Sequence, residues 1–133
     1  MIVVDTNILA YLYLPSDYTE LAEKLLAQDG KWVAPVLWRS EFRNVLTLYL
    51  RKKHLTFKQM MAIMAEAESL LDNREFELKS QEVMRLVASS TCSAYDCEFV
   101  ALAERLGVKL ITMDRKVLQQ FPDLTQALTD IAH

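Results

Sequence analysis

Short apolar, β-branched segments that stop beside an acid constrain this chain most. Ile2–Val4 runs directly into Asp5, and Lys109–Thr112 ends two residues before Asp114. Trp32–Pro35 and Phe76–Leu78 are further candidate strands, and long helical patterns separate them all: Ser16–Gln28, Val36–Lys52, Thr56–Leu71, Ser80–Ala88 and Ser93–Leu106. Thr56 is placed to cap the third helix and Gly107 to end the last. Only two glycines and three prolines break the sequence, which leaves little room for linkers. Strands too short and apolar to face water, alternating with helices, predict an α/β sandwich: a short, mostly parallel sheet covered by helices on both faces. Such sheets bind ligands beyond the carboxyl ends of their strands, where Asp5 and Asp114 fall.

At 133 residues the chain is expected to form a single domain, 1–133, and its 52% hydrophobic content is ample for one core. The longest apolar runs, Met1–Val4 and Val100–Ala103, are far below the ~20 residues that cross a bilayer. The first residues lack the pattern of a secretory leader, so the expected location is the cytoplasm, with no membrane partner. Cys92 and Cys97 are too few for a disulfide framework and are expected to be reduced. With His54 and the terminal His133 as the only histidines, zinc ligation and a histidine base are both poorly supported. Net charge is −3, so any polyanion must be held by local features.

Helical geometry makes two further acids conspicuous. At about 100° per residue, Trp38, Phe42, Val45, Leu46, Leu48 and Tyr49 share one side of the second main helix, and Glu41 falls among them. On Ser93–Leu106, Tyr95, Phe99, Val100, Leu102, Ala103 and Leu106 form the apolar side, with Asp96 inside it and Glu98, Glu104 and Arg105 opposite. A carboxylate on an apolar face is costly unless it is paired, metal-bound or marginal. Each acid also has a purely structural explanation. Asp5 and Asp114 can cap the helices that follow, Ser93 and Asp96 have capping-box spacing, and Glu41 can neutralise an arginine. Capping alone would make the chain a catalytically silent binding module.

Four carboxylates in one pocket repel one another unless some are protonated or a cation lies among them. Oxygen-only donors select hard divalent ions, so the expected occupant is Mg²⁺ or Mn²⁺, and the natural chemistry is phosphodiester hydrolysis. Phosphoaspartate chemistry fits less well, because Asn7 stands where a second aspartate would be wanted. No glycine-rich phosphate loop is present.

The segments Asp5-Thr6-Asn7-Ile8-Leu9, Ser40-Glu41-Phe42, Tyr95-Asp96-Cys97 followed by Ala101-Leu102-Ala103, and Leu110-Ile111-Thr112-Met113-Asp114 together resemble the PIN-domain nucleases. The similarity runs from Ile2 to about Phe121, and among PIN proteins it is greatest to VapC-type toxins of toxin–antitoxin pairs. The resemblance implies a PIN-like α/β/α sandwich and an acidic metal site formed by Asp5, Glu41, Asp96 and Asp114. It also implies endoribonuclease activity, homodimers and a small antitoxin protein as partner. Asn7 and Thr112 match supporting polar positions, while Cys97 stands where the family usually has a small residue. A housekeeping PIN-type RNA-processing nuclease is the alternative within the same family.

RNA contact is expected from Arg115 and Lys116, next to Asp114, through phosphate. Arg39 and Arg43 read instead as a solvated face or an interface, since they lie opposite Glu41. Met60-Met61-Ala62-Ile63-Met64 reads as core filling, with any exposed part open to a protein partner.

Overall fold

A computed structural model describes residues 1–131, so His133 lies outside the described residues. The strands are β1 (Ile2–Val4), β2 (Trp32–Pro35), β3 (Glu75–Phe76), β4 (Leu110–Thr112) and β5 (Thr125–Ala127). Every pairing among them is parallel, in the order β3-β2-β1-β4-β5. Val3 pairs with Val33 on one side and Leu110 on the other, which makes β1 the centre of the sheet. Both faces of this strand are covered, and Val3 and Val4 are fully buried. That double burial is why its sequence is continuously apolar rather than alternating.

The helices are α1 (Thr6–Tyr13), α2 (Thr19–Gln28), α3 (Trp38–Arg51), α4 (Phe57–Leu70), α5 (Ser80–Ala88), α6 (Ala94–Leu106), α7 (Arg115–Gln120) and α8 (Leu128–Ile131). Helix α6 packs against β1, β2 and β4 with α5 beside it, while α1 contacts β4, α2, α3 and α4. Held between sheet and α5, α6 buries Cys97 and the whole run from Phe99 to Ala103. It therefore has no broad solvated face beyond its ends. Thr56 caps α4 in a full capping box with Gln59, and Gly107 ends α6 in the left-handed conformation at φ 66°.

Several boundaries depart from the sequence expectation. The expected Ser16–Gln28 helix is α2 and begins only at Thr19, while a separate helix, α1, precedes it from Thr6, capped by Asp5 and ended before the Leu14–Pro15 step. Strand β5 was not expected: Thr125-Gln126-Ala127 is a short edge strand whose pattern is mostly polar. Leu48 and Tyr95, expected on apolar faces, are 50% and 63% exposed. Arg39, expected on a solvated face or an interface, is half-buried and engaged within the chain. Its guanidinium grips Glu75 through Nε and Nη2, each at 2.6 Å, and also pairs with Glu68. The Trp38 indole N–H donates to the same Glu75 at 2.8 Å, so this network fixes α3 to α4 and the edge strand β3.

Candidate active site

The four acids singled out by their positions all occupy the cap or first turn of a helix. Asp5 caps α1, Glu41 is in the first turn of α3, Asp96 is in the first turn of α6, and Asp114 caps α7. Three of these helices start just beyond the carboxyl ends of β1, β2 and β4. The capping explanation and the shared-site explanation therefore describe the same arrangement. Unsatisfied N–H groups and the positive ends of the helix dipoles offset part of the cost of gathering negative charge.

Hydroxyls join the acids. Asp5 accepts the Ile8 N–H on Oδ1 at 3.1 Å and the Thr112 hydroxyl on Oδ2. Thr112, fully buried at the end of β4, accepts the Asp114 N–H at 3.0 Å, so one threonine oxygen ties the first acid to the last. Asp114 accepts the Val117 N–H at 3.1 Å. On the other side, the buried Thr6 hydroxyl donates to Glu41 Oε1 at 2.7 Å. The Ser93 hydroxyl accepts the Asp96 N–H at 3.1 Å.

Electrostatics show which acids sense one another. Burial pushes the Asp5 carboxyl up to about 6, with the Glu41 charge adding to it and hydrogen bonds from Thr112, Ile8 and Asn7 opposing it. Glu41 is raised by burial and by Asp96, against the Thr6 hydrogen bond. Asp96 is raised by burial and by Asp114, against hydrogen bonding to Ser93 and the charge of Lys116. Each acid is thus linked to the next in the series Asp5, Glu41, Asp96, Asp114. Among the described residues, however, no three acidic, cysteine or histidine side chains already converge as a preformed metal cage. The carboxylates share a field without sharing a coordination sphere.

A cleft of about 240 Å³ opens over this edge, lined by Asp5, Thr6, Asn7, Glu41, Asn44 and Val45. The exposed Asn7 lines it and gives Asp5 its backbone N–H. Lys116 is exposed and its charge opposes the shift of Asp96; Arg115, one residue earlier, is exposed as well. His54 follows the far end of α3, against the Tyr49 ring, away from the acids.

Glu98, expected on the solvated side of its helix, is instead half-buried, and its carboxyl is raised by burial and by Glu41. Helical angle alone misplaced it, because α6 has neighbours on several sides. Thr6 was also missed as a site residue. Its place directly after Asp5 was the available signal.

The oxygen-only donors, dehydrated and mutually repelling, fit a hard divalent cation by their chemistry. The PIN domain model matches residues 2–124. The chain belongs to the PIN-domain family. It is 29% identical over 126 residues to Ribonuclease VapC3 of Pyrobaculum aerophilum, covering 92% of this chain and 96% of that protein. The crystal structure of PAE2754 from Pyrobaculum aerophilum superposes with a TM-score of 0.76 at 20% identity, covering 98% of this chain and 85% of that one. FitAcB from Neisseria gonorrhoeae superposes with a TM-score of 0.78 at 14% identity, covering 98% of this chain and all of that one. These structural likenesses establish the PIN fold, with the all-parallel sheet and its flanking helices.

Proposed function

We propose that this PIN-domain protein is a Mg²⁺- or Mn²⁺-dependent endoribonuclease, acting as the toxin of a type II toxin–antitoxin pair. The observation that carries the reading is the run of acids Asp5, Glu41 and Asp96, each with its carboxyl raised by burial and by a neighbouring acid, where helix N-termini meet beyond the sheet. Such an arrangement is paid for by the rest of the fold and is typical of a functional site rather than of caps. The relative called Ribonuclease VapC3 supports RNA as substrate.

In this reading Asp5, Glu41, Asp96 and Asp114 hold the ion. When bound, a divalent ion neutralises charge on the phosphodiester and makes water more acidic. The protein's own groups do the positioning. Thr112 fixes the rotamer of Asp5 and, through the Asp114 N–H, the start of α7. Thr6 orients Glu41, while Asn7 lines the cleft beside Asp5. Lys116, whose charge acts on Asp96, and Arg115 beside it supply positive charge for substrate phosphate. A homodimer and a small antitoxin follow from the similarity to VapC-type toxins.

The test is incubation of purified protein with total RNA, with and without Mg²⁺ or Mn²⁺, beside Asp5→Asn and Asp96→Asn. Cleavage that requires metal and both aspartates is expected. Metal-independent cleavage, or full activity in both variants, overturns the mechanism. Co-purification with a small protein encoded by a neighbouring reading frame tests the antitoxin.

A further inference from the structure

A second cleft, of about 260 Å³, adjoins the first and is lined by Leu37, Ser40, Glu41, Asn44 and Tyr95. It shares Glu41 and Asn44 with the cleft over Asp5, so the two open side by side along α3. Its chemistry differs from that of its neighbour. Tyr95 stands in the first turn of α6, immediately before Asp96, and is 63% exposed. A tyrosine this exposed, whose helix buries most of its other apolar side chains, leaves an aromatic face available beside the acids. Opposite it, Ser40 and Asn44 lie four residues apart on α3, hence on one face, and both offer side-chain donors and acceptors. Leu37, at the start of α3, supplies the apolar remainder.

We infer that Tyr95, Ser40, Asn44 and Leu37 form a nucleobase subsite that seats the base next to the scissile phosphate and sets which sequences are cut. This inference rests on the nuclease reading above. The occupant is chosen by charge and shape. Glu41 borders the cleft and is part of the acidic field, which repels a second phosphate but tolerates a neutral base. An aromatic face, one apolar contact and two hydrogen-bonding side chains match a flat heterocycle with donors and acceptors on its edge. Single-stranded RNA is recognised by this combination of stacking and edge hydrogen bonds. Because the clefts share Asn44 and Glu41, a nucleotide with its phosphate at the acids has its base within reach of the second cleft. Stacking supplies affinity with little preference among bases, so discrimination falls to Asn44 and Ser40.

The test compares wild type, Tyr95→Ala, Tyr95→Phe and Asn44→Ala on a randomised RNA pool, reading both kcat/KM and the bases flanking each cut by sequencing. Mg²⁺-induced thermal stabilisation is measured on the same samples, to show that the acids still respond. Tyr95→Ala is expected to lower kcat/KM by about 5- to 100-fold, the range for losing one stacked base. Tyr95→Phe recovers most of that loss, and Asn44→Ala alters the base preference at one flanking position. All variants keep the wild-type response to Mg²⁺. If wild type cleaves and Tyr95→Ala and Asn44→Ala match it in rate and preference, the subsite is wrong while the nuclease reading stands. A loss accompanied by dissociation of an oligomer, with preference unchanged, assigns Tyr95 to a protein interface and also overturns the subsite. Failure of wild type to cleave any RNA in Mg²⁺ or Mn²⁺ removes the nuclease reading, and the subsite falls with it.

Discussion

Removing one charge from the acid site stabilises the metal-free protein at neutral pH. Asp5 is the sharpest case, because its carboxyl is pushed from 3.8 to about 6 mainly by burial. A carboxyl whose folded pKa lies above its unfolded value binds the proton more tightly when folded. Its contribution is therefore fully present below about pH 4 and is lost as pH rises through about 6. At about 1.4 kcal/mol per pKa unit, the charge on Asp5 costs the fold up to about 3 kcal/mol at pH 7.5. Asp5→Asn removes that cost and keeps the cap on Ile8, since asparagine caps helices as well as aspartate does. Against it stands the weakened bond to Thr112, about 1 kcal/mol. The variant is thus expected to be about 2 kcal/mol more stable than wild type at pH 7.5 in EDTA. For a chain of this length that is a Tm roughly 7 °C higher. The advantage shrinks as pH falls from 6 towards 4, where Asp5 is protonated in the folded protein and increasingly so in the unfolded chain. Mg²⁺ reverses the order, because an ion at a hundred times its Kd stabilises wild type by about 2.7 kcal/mol and the variant far less. Urea unfolding at pH 4.0, 6.0 and 7.5, with EDTA or Mg²⁺, measures every term. A stability difference between the two proteins that does not change with pH refutes the argument.

Other expectations follow from the same contacts. Thr112→Val keeps the buried shape but removes the hydroxyl shared by Asp5 and the Asp114 N–H; a loss of about 1–3 kcal/mol is expected by chemical denaturation, with RNA cleavage reduced as well. Arg39→Lys retains the charge but cannot grip Glu75 with two nitrogens, so about 1–2 kcal/mol should be lost with cleavage kinetics intact. Glu75 is held below its usual range chiefly by the hydrogen bonds from Arg39, so its contribution is present above about pH 4.5 and disappears as pH falls; Glu75→Gln should be less stable than wild type at pH 7 and should converge with it in acid. Gly107→Ala should cost about 1 kcal/mol through the left-handed backbone alone, because a Cβ there meets open space.

What the sequence made legible depends on how local the determining physics is. The start of α4 and both ends of α6 were readable because Thr56, Ser93 and Gly107 act on their own helix termini. The central strands were readable because burial on both faces leaves no alternation to confuse. By contrast, β5 forms only because β4 offers it an edge to pair with, through Leu110 and Thr125, and nothing within Thr125-Gln126-Ala127 announces that. The ion pairs of Arg39 were illegible for a similar reason: its partners Glu68 and Glu75 are 29 and 36 residues away. At the site, Asp5 and Asp114 could be placed by strand ends and Glu41 and Asp96 by helical angle. Glu98 and Tyr95 could not, because angle on one helix does not say which sides have neighbours.

The same reasoning explains why capping and chemistry did not compete as explanations of the acids. A parallel sheet delivers each chain reversal at one edge, so the N-termini of the helices following β1, β2 and β4 start there together. Any of those termini accepts a carboxylate at little cost, and a single one would be only a cap. Placed side by side the caps become a liability, as the raised carboxyls of Asp5, Glu41 and Asp96 record. Helix dipoles and the Thr6 and Thr112 hydroxyls lower that cost without cancelling it, since burial still outweighs the hydrogen bonds at Asp5. The residual repulsion is what a cation would relieve, so in the proposed function affinity for a divalent ion and instability in its absence would have one origin. Variants that stabilise the metal-free protein by removing a carboxylate should therefore weaken Mg²⁺ binding in rank order, with Asp5→Asn ahead of Glu98→Gln, when both quantities are measured on the same preparations. A substitution at Asp5 that stabilises the apo fold yet leaves the Mg²⁺ response intact would separate the two and break this link.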